Sequence, residues 1–176
     1  MPQFAWDATY KLNTLKYLLI TTVTQDSTFP TSFTIASTES EASYSFVLCA
    51  LKKAYMKIFK QSLNYKYIMS NGADYIFNAS EKNLEEDHIH LMCYFHVKKA
   101  IKRNFAEKKV SKEDREKILH CINDLHSMID ERHFAHYYKL FKERYASYPD
   151  FLTYLDKEWV YSKTSKWRYF DCLVFN

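Results

Sequence analysis

The chain has 176 residues, of which 47% are apolar and 18% aromatic, so composition excludes a disordered segment. No apolar run approaches the roughly 20 residues that cross a bilayer, so no membrane-spanning partner role is expected. A formal charge of +4 suits a polyanionic partner without requiring one. Four cysteines, Cys49, Cys93, Cys121 and Cys172, form no dense framework, which points to a reducing intracellular compartment. There is no basic-then-apolar leader, and both ends read as cut from a longer protein. With one glycine, Gly72, and three prolines, the chain should be rich in helix and poor in tight hairpins.

The first third reads as strands. Phe4 to Tyr10 is one, Leu15 to Thr24 a second, and Ser32 to Thr38 a third. The polar stretch Gln25-Asp26-Ser27-Thr28 suits the turn between the second and third, with Phe29-Pro30 as a break. The period then changes. Thr38-Glu39-Ser40-Glu41 has the form of a capping box, and Tyr44, Val47, Leu48, Leu51, Tyr55, Ile58 and Phe59 follow at spacings of three and four. This predicts an amphipathic helix over 39–61. A fourth strand over 65–70 leads to Asn71-Gly72, a short helix runs over 73–83 with Ile76 and Ala79 inward, and a fifth strand covers 88–92. A basic helix starts near Cys93-Tyr94-Phe95-His96, with Val97, Ala100 and Ile101 as its apolar side.

Everything after Ala106 reads as helix. Ser111 caps a helix carrying Ile118, Ile122, Leu125 and Ile129; Phe134, Tyr137, Tyr138, Phe141 and Tyr145 form a second stripe; and Asp150 caps a segment reaching Val160. The order of three strands, helix, strand, helix, strand is that of an RNase H-like core. The expected fold is therefore α/β, a mixed sheet of three antiparallel strands followed by α-β-α-β, with a C-terminal helical insertion. The expected division is 1–105 for the core and 106–176 for the insertion. In that layout the first and fourth strands lie side by side, bringing Asp7 and Asn71 to one region of the sheet.

A lone carboxylate closing an apolar strand is costly unless something pairs with it, and a divalent cation is one such partner. Asp7 is so placed, although a strand-end acid is the ordinary reading of it in isolation. Asn71 before Gly72 is most often a turn or cap, and Asp74 sits where a helix N-terminus favours negative charge. Cys93-x-x-His96 joins strand to helix. Thiolate and imidazole also bind Zn²⁺, and His88, His90, Cys121 and His126 lie within reach along the sequence. The longer gaps do not match a zinc finger, so local packing is the preferred reading. His120, His133 and His136 read as helix-surface residues. Lys98, Lys99, Lys102 and Arg103, followed by Lys108, Lys109 and Lys112, form the best phosphate-contacting group, against the ordinary alternative of a solvated helix face. Lys163, Lys166, Trp167 and Arg168 make a smaller basic-aromatic cluster.

Four motifs stand in order: Asp7-Ala8-Thr9-Tyr10-Lys11-Leu12-Asn13, then Ser37-Thr38-Glu39-Ser40-Glu41-Ala42-Ser43-Tyr44, then Ile68-Met69-Ser70-Asn71-Gly72-Ala73, then His90-Leu91-Met92-Cys93-Tyr94-Phe95-His96-Val97. Together they resemble the transposase domain of Mutator-like elements, the MULE domain, over roughly residues 4 to 105. The resemblance implies an RNase H-like fold with an Asp-Asp-Glu site holding Mg²⁺ or Mn²⁺. It further implies cleavage and transfer of double-stranded DNA in the nucleus. Two ions about 3.5–4 Å apart clamp the attacking and leaving oxygens in such sites. The family's first acid maps to Asp7, the expected metal ligand. Its second maps to Asn71, whose amide brings no charge. Its third, a Glu on a late helix, has no match: Glu158 and Asp171 are the late acids, and neither stands in the motif. The chain is expected to stop short of that helix and to be catalytically impaired. A DNA- or protein-binding module that kept the fold and lost the chemistry, with or without zinc, is the alternative.

Overall fold

A computed structural model describes residues 3–9, 18–24, 30–63, 67–84 and 88–172. The expected turn at 25–28, the polar end of the Asp7 motif after Thr9, and the outermost residues of the second and fourth expected strands lie outside that set. The fold is mixed α/β and mostly helical. Its strands are β1 (Gln3–Thr9), β2 (Leu18–Thr24), β3 (Pro30–Ala36), β4 (Tyr67–Ser70) and β5 (Ile89–Met92), joined in one sheet in the order β3-β2-β1-β4-β5. β1 pairs antiparallel with β2, from Phe4 opposite Thr24 to Thr9 opposite Leu19. β2 pairs antiparallel with β3, with a bulge between Thr22 and Val23 where the partner steps from Ser32 to Pro30. β1 pairs parallel with β4. A parallel pair needs a crossover, and α1 (Glu41–Phe59) lies in the connection that leads to β4.

The chain forms two compact units, residues 1–90 and 91–176. In the first, α1 starts two residues later than the expected capping box. Ser40, not Thr38, is the cap: its hydroxyl accepts the Ser43 N–H at 3.3 Å, while the Ser43 hydroxyl donates back to the Thr38 carbonyl at 2.8 Å. The stripe Tyr44, Val47 and Leu48 is buried, whereas Ile58 and Phe59, expected on the same face, are exposed. α1 ends there, with Lys60 in the left-handed region at φ 57° and its N–H on the Met56 carbonyl. α2 (Asp74–Asn83) packs Ile76 and Ala79 against α1 and β4, giving a core of Tyr44, Val47, Leu48, Leu63, Ile68, Ile76 and Ala79. Asn83 stitches the two helices together. Its amide donates to the Ser45 hydroxyl at 2.9 Å, and its carbonyl accepts from Lys52 at 2.9 Å.

The second unit is helical, with no strand among its described residues after Met92. It contains α3 (Tyr94–Glu107), α4 (Lys112–His126), α5 (Glu131–Arg144), α6 (Pro149–Leu155), a π-helical turn (Asp156–Val160) and α7 (Tyr169–Cys172). Ser111 caps α4 as its sequence suggests, and Asp130 caps α5 through the His133 N–H at 2.9 Å. Asp150 is not the cap of α6. Pro149 occupies the first turn, where its missing N–H costs nothing, and Tyr148 is the cap. Ile129 is also corrected: α4 stops at His126, and Ile129 is 66% exposed. Val97, Ile101 and Phe105 of α3 join Ile118, Ile122, Phe134, Tyr138, Phe141, Tyr145, Phe151 and Leu155 in one core. The aromatic stripe of α5 is therefore packing, except at half-exposed Tyr137. Trp167 belongs to the same core, 2% exposed, its indole N–H on the Trp159 carbonyl at 2.7 Å.

Candidate functional site

The first unit pairs the strand that carries Asp7 with the strand that leads to Asn71. Gln3 pairs with Tyr67, Phe4 with Ile68 and Ala5 with Met69. Carried two residues further at the same offset, the parallel register sets Asp7 level with Asn71. Asp7 is still within β1, while Asn71 follows the last residue of β4.

The chain at Asn71 is a built turn. Its side-chain oxygen accepts the Ala73 N–H at 3.1 Å, the Asx arrangement that lets a short polar side chain stand in for backbone. Gly72 follows at φ 81°, where a Cβ would clash with the neighbouring carbonyl. The Gly72 N–H donates to the hydroxyl of Ser70, a side chain 1% exposed. Ser70 stands inside the third motif, and the part its buried hydroxyl plays in the turn is seen only in the structure. Asp74 opens α2, exposed, with no side-chain cap on the preceding Ala73, so its charge faces the helix N-terminus.

Cys93 and His96 sit where the sequence places them, at the end of β5 and in the first turn of α3. Their link is through the backbone: the Cys93 carbonyl accepts the His96 N–H at 2.9 Å and the Val97 N–H at 3.2 Å. The thiol makes no cap bond, and the His96 ring stands edge-on to Phe95 at 5.4 Å. The wider Cys-His set does not converge on them. Cys121 faces the Tyr145 hydroxyl at 3.8 Å, and the His126 ring nitrogen Nδ1 lies 2.7 Å from the Trp167 carbonyl. Among the described residues no three His, Cys, Asp or Glu side chains gather as a metal cluster.

A family model described as the MULE transposase domain matches residues 4–100. The chain belongs to this family. No curated protein matches it. The match runs from β1 into α3, so it contains Asp7, Asn71, Cys93, His96, Lys98 and Lys99, and it ends just before Lys102 and Arg103. Membership in a transposase family implies interaction with DNA.

Within the MULE domain's α3 the four cations divide into two groups. Lys99, Lys102 and Arg103 are exposed, and spacings of three and four put them on one helix face. Phe95, 66% exposed, begins that face, with the Lys99 ammonium 5.9 Å from its ring centre. Lys98 faces elsewhere. It donates to the Asn123 side-chain oxygen at 3.0 Å, an atom that also accepts the Tyr94 hydroxyl at 2.5 Å. Burial, reinforced by Asp124, pushes the Tyr94 phenol up to about 12, so it remains a donor at neutral pH. Tyr94 stacks on His126 at 3.7 Å between ring centres, and burial holds that imidazole below its ordinary range. Asn123 is therefore a packing hub that the cation pattern did not reveal. Arg168, from the late basic-aromatic cluster, makes a two-pronged pair with Asp171 at 2.8 and 3.0 Å, both side chains largely buried. That pairing commits Asp171 to Arg168.

Proposed function

We propose that this MULE domain is an RNase H-like, DNA-engaging module of transposase ancestry whose metal-dependent cleavage chemistry is impaired. The reading rests on the parallel pairing of β1 with β4, from Gln3 opposite Tyr67 to Ala5 opposite Met69, in a sheet whose β1, β2 and β3 are antiparallel; the same offset continued would set Asp7 level with Asn71. The donor set at that level does not fit a pair of Mg²⁺ or Mn²⁺ ions. Asn71 brings no charge, and its oxygen is already engaged with the Ala73 N–H. Hard divalent ions held close together need carboxylates. No reaction step is therefore assigned to bound metal here. DNA contact falls to Lys99, Lys102 and Arg103, three exposed cations on one face, with Lys98 kept for packing. Action on nuclear DNA follows as part of the same proposal.

The test is a plasmid-nicking assay with Mn²⁺, paired with calorimetric Mn²⁺ titration of the unmodified protein and of Asn71→Asp. The unmodified protein is expected not to nick. Asn71→Asp keeps the turn acceptor, adds charge beside a helix N-terminus, and should strengthen Mn²⁺ binding in a manner lost on Asp7→Ala. Robust nicking by the unmodified chain that disappears with Asp7→Ala would overturn the impaired-site reading.

A further inference from the structure

Outside the Asp7–Asn71 level, the first unit holds a second arrangement of ligating atoms. His88 and His90 flank Ile89 at the start of β5. Alternation along the strand sends residues i and i+2 to one face, and the two Nε2 atoms come within 3.1 Å of each other. The rings meet edge to face, 4.9 Å apart at 69°, so the nitrogens converge rather than stack. Phe77, 7% exposed, lies against the His90 ring at 4.2 Å between centres and limits its rotation.

We propose that His88 and His90 form a two-nitrogen chelate for a borderline divalent transition-metal ion of the Ni²⁺, Cu²⁺ and Zn²⁺ class. The spacing carries the argument. Imidazole nitrogens bind Zn²⁺ at about 2.0–2.1 Å, and two such bonds from nitrogens 3.1 Å apart enclose an angle of roughly 98°. That angle falls between the 90° of neighbouring square-planar or octahedral positions and the tetrahedral value near 109°, so the spacing suits either geometry after the rings tilt toward the ion. Without an ion, one Nε2 carries a hydrogen and donates it to the other; an ion would replace that hydrogen bond with two nitrogen–metal bonds. Neutral imidazole suits Ni²⁺, Cu²⁺ and Zn²⁺ and suits Mg²⁺ poorly, so this site would not substitute for a carboxylate centre.

The experiment uses tag-free protein and two probes, Ni²⁺ by calorimetry and Cu²⁺ by electron paramagnetic resonance. One equivalent of Ni²⁺ is expected to bind. His88→Gln or His90→Gln should each weaken it by more than about 10–100-fold, the range lost when even an outer partner of a ligand is removed. Cys93→Ser and Asp7→Ala should leave it unchanged, which separates this site from the Cys-His motif and from the proposed acid site. The Cu²⁺ spectrum of the unmodified protein should show splitting from two nitrogens, a reading that does not depend on any variant folding. Absence of Ni²⁺ binding at tenfold molar excess, binding that survives both histidine substitutions, or binding abolished by Cys93→Ser would each overturn the proposal.

Discussion

The salt dependence of DNA binding gives the sharpest test of the basic face of α3. Each phosphate neutralised by a lysine or arginine releases counterions, so log K falls against log[salt] with a slope of about −0.9 per contact. Lys99, Lys102 and Arg103 are exposed on one face, whereas Lys98 is bonded to Asn123 at 3.0 Å. Three contacts predict a slope contribution near −2.7, which is roughly a 40-fold loss of affinity between 50 and 200 mM salt. Replacing all three with alanine should remove that contribution, and each single replacement should remove about a third of it. Lys98→Ala should behave differently, lowering thermal stability through the Tyr94–Asn123 cluster while leaving the slope in place. Fluorescence anisotropy on a labelled duplex at four salt concentrations measures these slopes. An unchanged slope in the triple variant, or a Lys98→Ala slope as shallow as those of the single variants, would refute the assignment of this face.

Three further outcomes follow from the packing and the turn. Phe151, with 0% exposure and its ring 5.4 Å from Phe105, anchors the helical unit, so Phe151→Ala should cost about 3–5 kcal/mol in urea unfolding. A loss below about 1 kcal/mol would contradict the packing. Gly72→Ala forces a Cβ into the left-handed region at φ 81° and should destabilise by about 1–2 kcal/mol, read from the same unfolding curves. Burial depresses the His126 imidazole, so the folded state resists its protonation. Its contribution is intact above the ordinary histidine value of 6.5 and is lost as pH falls below it toward the depressed folded value. The melting temperature should therefore begin to drop below about pH 6.5, well before Asp114, which accepts the Tyr148 hydroxyl, and Asp130, the cap of α5, protonate, and His126→Gln should flatten that first drop.

The alternation of β-branched and aromatic residues marked β1 to β3, and the shift to spacings of three and four marked α1. The neighbourhood of β1 and β4 followed from the order of strands, and the structure pairs them in parallel from Gln3 opposite Tyr67 to Ala5 opposite Met69. Other features were less legible. Thr38 and Ser40 are both acceptable caps two residues apart, and the choice rests on which hydroxyl meets a free N–H, a matter of geometry. Val97, Ile101 and Phe105 announce a buried face on α3, but spacing does not say what covers it; the helical unit does. Lys98 is separable in principle, since it adjoins Val97 and Tyr94 on the turn while Lys99, Lys102 and Arg103 follow Phe95. The convergence of His88 and His90 was half visible: the i, i+2 spacing placed them on one face, but only ring orientation brings the two Nε2 atoms together.

The turn after β4 also has a chemical lifetime. Asparagine followed by glycine is the pair in which the next amide nitrogen most readily attacks the side-chain carbonyl, expelling ammonia and closing a succinimide that water opens to aspartate or isoaspartate. Here the two reacting groups are both tied down, the Gly72 N–H by the Ser70 hydroxyl and the Asn71 oxygen by the Ala73 N–H. Conversion should therefore be slow in the folded protein and fast in denaturant, and Ser70→Ala should speed it in the folded state. Peptide mass spectrometry on protein aged at alkaline pH reads the extent. The residue beside the chain's only glycine thus serves as a clock, and its rate records how often this turn opens.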